Sequence, residues 1–493
     1  MAPCGWPRST RPTWSRWTRT ASPAWWRSFA CRVARWSLRR PGGRPSRPPT
    51  PWTSPSRRRL RTASPRLKST RSFARRWTVR TSRSRPCAVT LRRHDRRKGG
   101  SSRPNSVPLL THVSMEPICC TAESTPERTE LWIGTQGHDV LRMTLERALQ
   151  VPADRLFINT TYLGGGFGRK THGEIALQAA LASRAVNGRP VKVLWAREDD
   201  VQQGQYRQTM MCRFRATLDD AGSITAMRIR LAGPQMGRDY GFDPEQLARV
   251  TGNLANFDPF SLGGLSDMHY VIPNFVVEHA VVDLPIPLCP WRSISHSFTG
   301  FFFESFMDEC TTAAGRDPLE FRRGHLAGQA RMLAVLDRVA EMSRWREAAP
   351  DGTARGLAVV ESYGSYVAQV VEARRVGGRL KVDRVHAAID CGRAINPGQV
   401  ETQIQGAVID ALSAALRQKI TIRDGRAEQS NFYDYPLLRI EEAPSVAVSI
   451  VETGSPLGGV GEPGVPPLAP ALANALFAAT RQRVRSLPLS DHG

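Results

Sequence analysis

The chain has 493 residues and a formal net charge of +25, long enough for several domains with real cores. The charge is not spread evenly: Met1–Leu110 holds 29 of the 69 basic residues and one of the 44 acidic ones, leaving 40 against 43 in the rest. A basic, nucleic-acid-binding character is thereby excluded for everything after Leu110, and no apolar run approaches membrane-spanning length.

Residues 1–110 contain no Ile, Glu, Gln or Tyr but eight of the twelve tryptophans. Their Arg, Pro, Ser and Thr runs follow neither a strand nor a helix period, so this segment is expected to be disordered. Three readings compete. Charge with interleaved Trp could bind single-stranded nucleic acid. An export signal would need an apolar stretch after Arg39-Arg40, and none follows, so localisation stays open between cytoplasm and periplasm. The favoured reading is an out-of-frame translation of a GC-rich gene.

After Leu110 the pattern becomes regular α/β alternation. Thr144–Gln150 closes a helix, Leu156–Thr161 is a strand, Glu174–Val186 is helical and Val191–Ala196 is a buried strand. Alternation from Phe214 to Leu218 and from Met227 to Leu231, about an Asp-Asp-Ala-Gly turn, predicts a hairpin. Phe303, Phe306, Met307 and Cys310 share a helix face that Gly315 ends, and Asp317-Pro318 starts the next helix. A polar joint at Glu347–Gly356 divides the fold into 111–346 and 347–493. Leu357–Glu361 and Leu380–Ile389 are strands, Asn396-Pro397 caps a helix through Leu412, and Pro466–Thr480 is helical. The fold class is α+β, with two α/β lobes.

Four constellations could carry chemistry. Gly164–Lys170 lies between a strand and a helix but lacks the glycine spacing of a dinucleotide fingerprint and the Gly-Lys pair of a P-loop. It could present backbone amides to ligand oxygens, or could be a tight turn with Phe167 plugging the core. Glu462 stands among Gly458, Gly459, Gly461, Pro463 and Gly464, where a carboxylate is accessible enough for a general base; a solvated turn would look the same. Arg292, in Trp291-Arg292-Ser293, could steady an anion, while His296 has no second His at metal-ligand spacing. Gln136 and the polar segments around Asp390 and Gln403-Gly406 could hold a cofactor. The nine cysteines contain no C-x-x-C pair, and serine-hydrolase and zinc-protease signatures are absent.

Taken in order, these segments resemble the molybdopterin-binding subunit of the xanthine dehydrogenase family, in the branch of isoquinoline 1-oxidoreductase and bacterial aldehyde dehydrogenases. The resemblance rests on Ser114–Pro117, Leu163–Arg169, Trp195–Asp200, Trp291–Ser293, Glu304–Glu309, Gly364–Val370, Asp390–Arg393 and Gly458–Gly464. It implies a molybdenum-cofactor-binding domain carrying molybdenum on a molybdopterin cytosine dinucleotide. Metal-bound hydroxide would attack an electron-poor carbon of an aldehyde or N-heterocycle, and hydride would pass to the molybdenum centre. It also implies Glu462 as base, Arg292 orienting substrate, and Gly165, Gly166, Phe167, Gly168, Gln403, Gly406, Gly459 and Gly461 lining the cofactor, with no side chain binding the metal. Electrons would leave through a small [2Fe-2S] subunit to an acceptor such as a cytochrome. The chain departs from the pattern at its N-terminus and at Asp410-Ala411, where the family tends to have Gln or an apolar residue followed by Gly. Two alternatives remain: a truncated or frame-disrupted inactive remnant of that family, and a nucleic-acid binder acting through 1–110.

Overall fold

The computed structural model describes residues 104–237, 258–350 and 352–492. The disorder expected of the basic segment, and the readings attached to it, fall almost entirely outside the described residues. The described chain forms two compact units that interleave in sequence.

The smaller unit, Cys119–Tyr162 with Gly173–Leu194, is a four-stranded sheet with helices. Its elements are β1 (Cys119–Ser124), β2 (Thr129–Ile133), α1 (His138–Leu149), β3 (Leu156–Thr160), α2 (Glu174–Ala185) and β4 (Val191–Leu194). The strand order is β3-β2-β1-β4, with β3 parallel to β2 and the other pairs antiparallel. Helix α1 carries its buried Leu141, Leu145 and Leu149 at four-residue spacing and ends with Gln150 in the left-handed region. Helix α2 packs across β1 through an Ala-rich face. Strand β4 corrects an expectation. It pairs with β1 alone, so it is an edge whose Leu194 is 62% exposed, not a buried strand.

The larger unit holds two four-stranded sheets. In the first, the short strand Asn105–Val107 pairs with β5 (Met210–Leu218), β5 with β6 (Ile224–Gly233) across the expected hairpin, and β6 with β7 (Asn274–Val281) in parallel. Next come α3 (His296–Ala314), α4 (Pro318–His325) and α5 (Ala330–Met342). Gly315 caps α3 at φ +64°, and the Asp317 carboxylate accepts from the Leu319 and Glu320 amides to start α4. The second sheet is built from β8 (Ala354–Ser362), β9 (Ser365–Val376) and β10 (Arg379–Asp390), followed by α6 (Pro397–Leu416), β11 (Ser445–Ile450) and α7 (Leu468–Thr480). Its order is β11-β10-β9-β8; only the β10–β11 pair is parallel.

Helix α3 is buried almost all round, as its apolar sequence demands. Together with α7 and α5 it forms the main core with the inner faces of both sheets. Glu304 of α3, 1% exposed, is satisfied completely. The Arg322 Nε donates to it at 2.8 Å, the Tyr270 hydroxyl at 2.6 Å and the Val359 amide at 3.2 Å. This junction ties α3 and α4 to the first strand of the second sheet.

Candidate active site

The glycine loop Leu163–His172 belongs to the larger unit and is fastened by its charges. The Glu116 carboxylate accepts from the Gly164 amide at 2.8 Å and pairs with the Lys170 ammonium, which holds the carboxyl below its usual range. Arg169, 1% exposed, donates from Nε to Asp200 at 3.0 Å, and Arg197 binds the same carboxylate at 3.1 Å. Gly165, Phe167 and Gly168 all have positive φ, and a Cβ on Gly168 would lie 1.9 Å from the Pro290 carbonyl oxygen. The loop therefore turns sharply against the segment that leads into Arg292. Phe167 is 37% exposed, so it is no core plug.

Arg292 is the meeting point of the site. Its Nε donates to the Gly461 carbonyl at 2.7 Å, its Nη1 to Asp410 at 2.7 Å, and its Nη2 to the Gln403 carbonyl and side-chain oxygens at 3.1 and 3.0 Å. Its guanidinium carbon lies 5.7 Å from the Phe167 ring centroid. The next two residues, Ser293 and Ile294, both have positive φ, and strain of this kind at a β-branched residue persists only where the surroundings over-determine it. The turn brings the Ser293 hydroxyl to the Glu462 carbonyl at 2.7 Å.

The Glu462 loop is held at several points of its backbone. The Gly458 amide donates to Cys391, the Gly459 amide to Tyr363, the Ser365 hydroxyl to the Gly459 carbonyl and the Gln369 side-chain amide to the Gly464 carbonyl. A Cβ on Gly458 would meet Ser365 Oγ at 2.3 Å, and one on Gly464 would meet Ala407 of α6 at 2.7 Å. In contrast, no protein hydrogen bond or ion pair reaches the Glu462 carboxylate among the described residues. It stands near the phenol of Tyr363, which partial burial and that carboxylate push up. His296 opens α3 with its ring 5.7 Å from that of Tyr363.

Phe167, Arg292, Gln403, Gly406, Gly461 and Glu462 are thus gathered in one place, and Gly459 continues the same loop. Gln136 lies in the smaller unit. The sequence reading gave no role to Ser293, Ser365, Gln369 and Tyr363; the first three lay inside recognised stretches, but only the long-range bonds reveal their work. Asp410 stood out only as a departure. Burial pushes its carboxyl above the usual range while Arg292 pulls it back, and the side chain keeps 36% exposure, which limits the first effect.

The backbone at Gly461 and Gly406 leaves room for a ligand. A Cβ on Gly461 would meet nothing within 4 Å, and one on Gly406 only Arg292 Nη1 at 3.8 Å, so the backbone faces open space beside the carboxylate. No cluster of His, Cys, Asp and Glu suited to a metal exists among the described residues, and the six described cysteines are free thiols.

Two family models, each described as a molybdopterin cofactor-binding domain, match residues 103–326 and 322–444. The chain is 33% identical over 393 residues to the beta subunit of isoquinoline 1-oxidoreductase from Brevundimonas diminuta, covering 77% of this chain and 49% of that protein. It is 30% identical over 405 residues to a membrane-bound aldehyde dehydrogenase [pyrroloquinoline-quinone] of Gluconacetobacter polyoxogenes, covering 77% and 52%. With a subunit of nicotinate dehydrogenase from Pseudomonas putida the identity is 29% over 410 residues, 78% of this chain and 34% of that one. The chain therefore spans about half or less of these relatives. Quinoline 2-oxidoreductase from Pseudomonas putida 86 superposes with a TM-score of 0.69 at 15% identity, covering 79% of this chain and 75% of that one, which establishes the shared fold.

Proposed function

Since the chain belongs to the molybdopterin cofactor-binding family, as a molybdenum-binding subunit of the xanthine dehydrogenase type, we propose that it is the large subunit of a hydroxylase acting on an aldehyde or an N-heterocycle. The observation that carries this reading is the Glu462 carboxylate, left unengaged among the described residues on a loop held by backbone bonds at Gly458, Gly459, Gly461, Glu462 and Gly464. The reaction joins a substrate C–H and water into C–OH, releasing two electrons and two protons. When bound, the molybdenum cofactor, as its cytosine dinucleotide, supplies oxygen transfer and accepts the electrons.

The chain's own residues place and deprotonate. The Glu462 carboxylate, which no protein donor occupies among the described residues, accepts the proton released as oxygen joins the substrate carbon. Gly165, Gly166, Phe167 and Gly168 line the cofactor from one loop, Gln403 and Gly406 from α6, and Gly459 and Gly461 from the base loop. Every guanidinium nitrogen of Arg292 holds a protein oxygen, so Arg292 orients substrate by fixing the base and the Phe167 ring; direct contact with a substrate oxygen would require it to release one of those bonds. We further assign 111–346 and 347–493 as the two lobes, a separate small [2Fe-2S] subunit as the first electron acceptor, and a cytochrome or similar carrier beyond it.

The test is to express the full chain with a [2Fe-2S] subunit and measure molybdenum, pterin and dye-linked oxidation of aldehydes and azaheterocycles. Molybdenum and pterin should co-purify with the chain. Glu462→Gln should retain both and lose about 10²–10⁴-fold in turnover. A chain that binds no pterin would be an inert remnant, and a fully active Glu462→Gln would remove the base assignment.

A further inference from the structure

Asp410 sits on α6 and differs from the rest of Arg292's surroundings in one respect: it is charged. The other acceptors of the guanidinium, the Gly461 carbonyl and the two Gln403 oxygens, are neutral. Among the described residues Asp410 is the one carboxylate in ion-pair contact with Arg292, at 2.7 Å. Arg292 is 7% exposed, and a cation so far removed from water needs a counter-charge. A second carboxylate is tied in through the backbone. Arg292 Nε bonds the Gly461 carbonyl and Ser293 bonds the Glu462 carbonyl, so the guanidinium is anchored one residue from Glu462.

We propose that Asp410 is a positioning residue that keeps Arg292 paired and so leaves the Glu462 carboxylate free to act as base. Three elements meet in the arrangement: α6 brings Asp410 and Gln403, the strained turn before α3 brings Arg292, and the loop after β11 brings Gly461 and Glu462. The guanidinium is a planar fork, so holding Nη1 on Asp410 while Nη2 rests on Gln403 fixes the direction in which Nε reaches Gly461. With the Asp410 charge removed, the field of the guanidinium falls on the remaining carboxylate, and a base engaged by a cation gives up its proton-accepting strength. Beside the base stands Tyr363, from the β8–β9 turn; His296, at the start of α3, lies against Tyr363 and feels the Asp267 and Glu361 carboxylates, the latter paired with His269, and neither Tyr363 nor His296 is an anion able to take Asp410's place.

This inference rests on the reading of Glu462 as base, and the experiment separates the two. Asp410→Asn, Arg292→Gln and their double variant are made in the full chain with its [2Fe-2S] partner, alongside Glu462→Gln. Asp410→Asn should keep its molybdenum and pterin. Its turnover should fall roughly tenfold, the scale of a mis-set catalytic group, and the acid limb of its pH–rate profile should move to lower pH. In the Arg292→Gln background the Asp410→Asn change should leave that limb where it is. Independently of turnover, amide hydrogen exchange across Gly458–Val465 should quicken several-fold in Asp410→Asn. An unmoved acid limb with unmoved exchange overturns the proposal. So does loss of molybdenum in step with turnover, because Asp410 would then serve cofactor retention. A fully active Glu462→Gln sinks the base reading instead, and the exchange measurement still reports whether Asp410 positions the loop.

Discussion

At Gly168 the backbone is held at φ +97°, and an added Cβ would stand 1.9 Å from the Pro290 carbonyl oxygen. Neither problem has an easy escape, because the obstacle is backbone and the loop is pinned before Gly168 by the Gly164 amide on Glu116 and after it by the Arg169–Asp200 and Lys170–Glu116 pairs. Gly168→Ala should therefore cost about 1–3 kcal/mol in conformational strain alone, with the collision added, and should lower the thermal unfolding midpoint clearly. Gly461→Ala is the matched comparison: its Cβ meets nothing within 4 Å, so the midpoint should stay within error while pterin content falls. A stable Gly168→Ala protein would mean that the loop relaxes away from Pro290, and the cradle would no longer be defined by it. Positive φ at Phe167, Ser293, Ile294 and Tyr363 places similar strain in the segments that meet at Arg292 and the Glu462 loop. Strain gathered at one place is a reason to look there for chemistry.

Among elements, the α3–α4–β8 junction shows how a buried charge pair ties the core of the larger unit together. Glu304 and Arg322 are 1% and 0% exposed and joined at 2.8 Å, with the Tyr270 hydroxyl completing the group. Removing one partner leaves a buried charge, so Glu304→Gln or Arg322→Met should destabilise the protein by roughly 3–5 kcal/mol, measured by denaturant unfolding. A double replacement by apolar residues should recover part of that loss; equal loss in singles and double would show that the pair is not coupled. The same region separates what is legible in sequence from what is not. The ends of α3, α4 and α6 could be read because their signals are local: Gly315, Asp317-Pro318 and Asn396-Pro397 cap within three residues. Strand β9 escaped notice as a strand, since its turn is Tyr363-Gly364 in place of Asn-Gly and its middle is a near-continuous buried run. The site residues were recognised as separate stretches, but their wiring was not, because Arg292 reaches across 118 residues to Asp410 and 169 to Gly461. No periodicity encodes such a contact.

For the molecule as a whole, buried imidazoles set the expected response to acid. Burial pushes His112 down to about 3, with the nearby Arg169 and His172 acting in the same direction and its bond to the Pro290 carbonyl, at 2.6 Å, opposing them. His279, His296, His325 and His386 are likewise lowered by burial, whereas His269 is raised by Glu361. A histidine whose folded pKa lies below its unfolded one binds fewer protons in the native state. Its contribution is complete above about 6.5 and is lost as pH falls from there toward the folded value, here about 3 for His112. The paired carboxylates Glu278 and Glu442, both held at about 2, add a loss that begins only as pH falls into the ordinary carboxylate range. Both are about a third exposed, so their share is small. Stability should therefore start to decline below about pH 6.5, earlier than carboxylate protonation alone would cause. His112→Asn should flatten the slope between about pH 6 and 4, a difference on the order of a few kcal/mol over that window. Thermal midpoints of the two proteins from pH 8 to 4 decide it. A wild-type midpoint that holds level down to pH 5 would place acid sensitivity in the carboxylates, and parallel curves for the two proteins would clear His112 of any part in it.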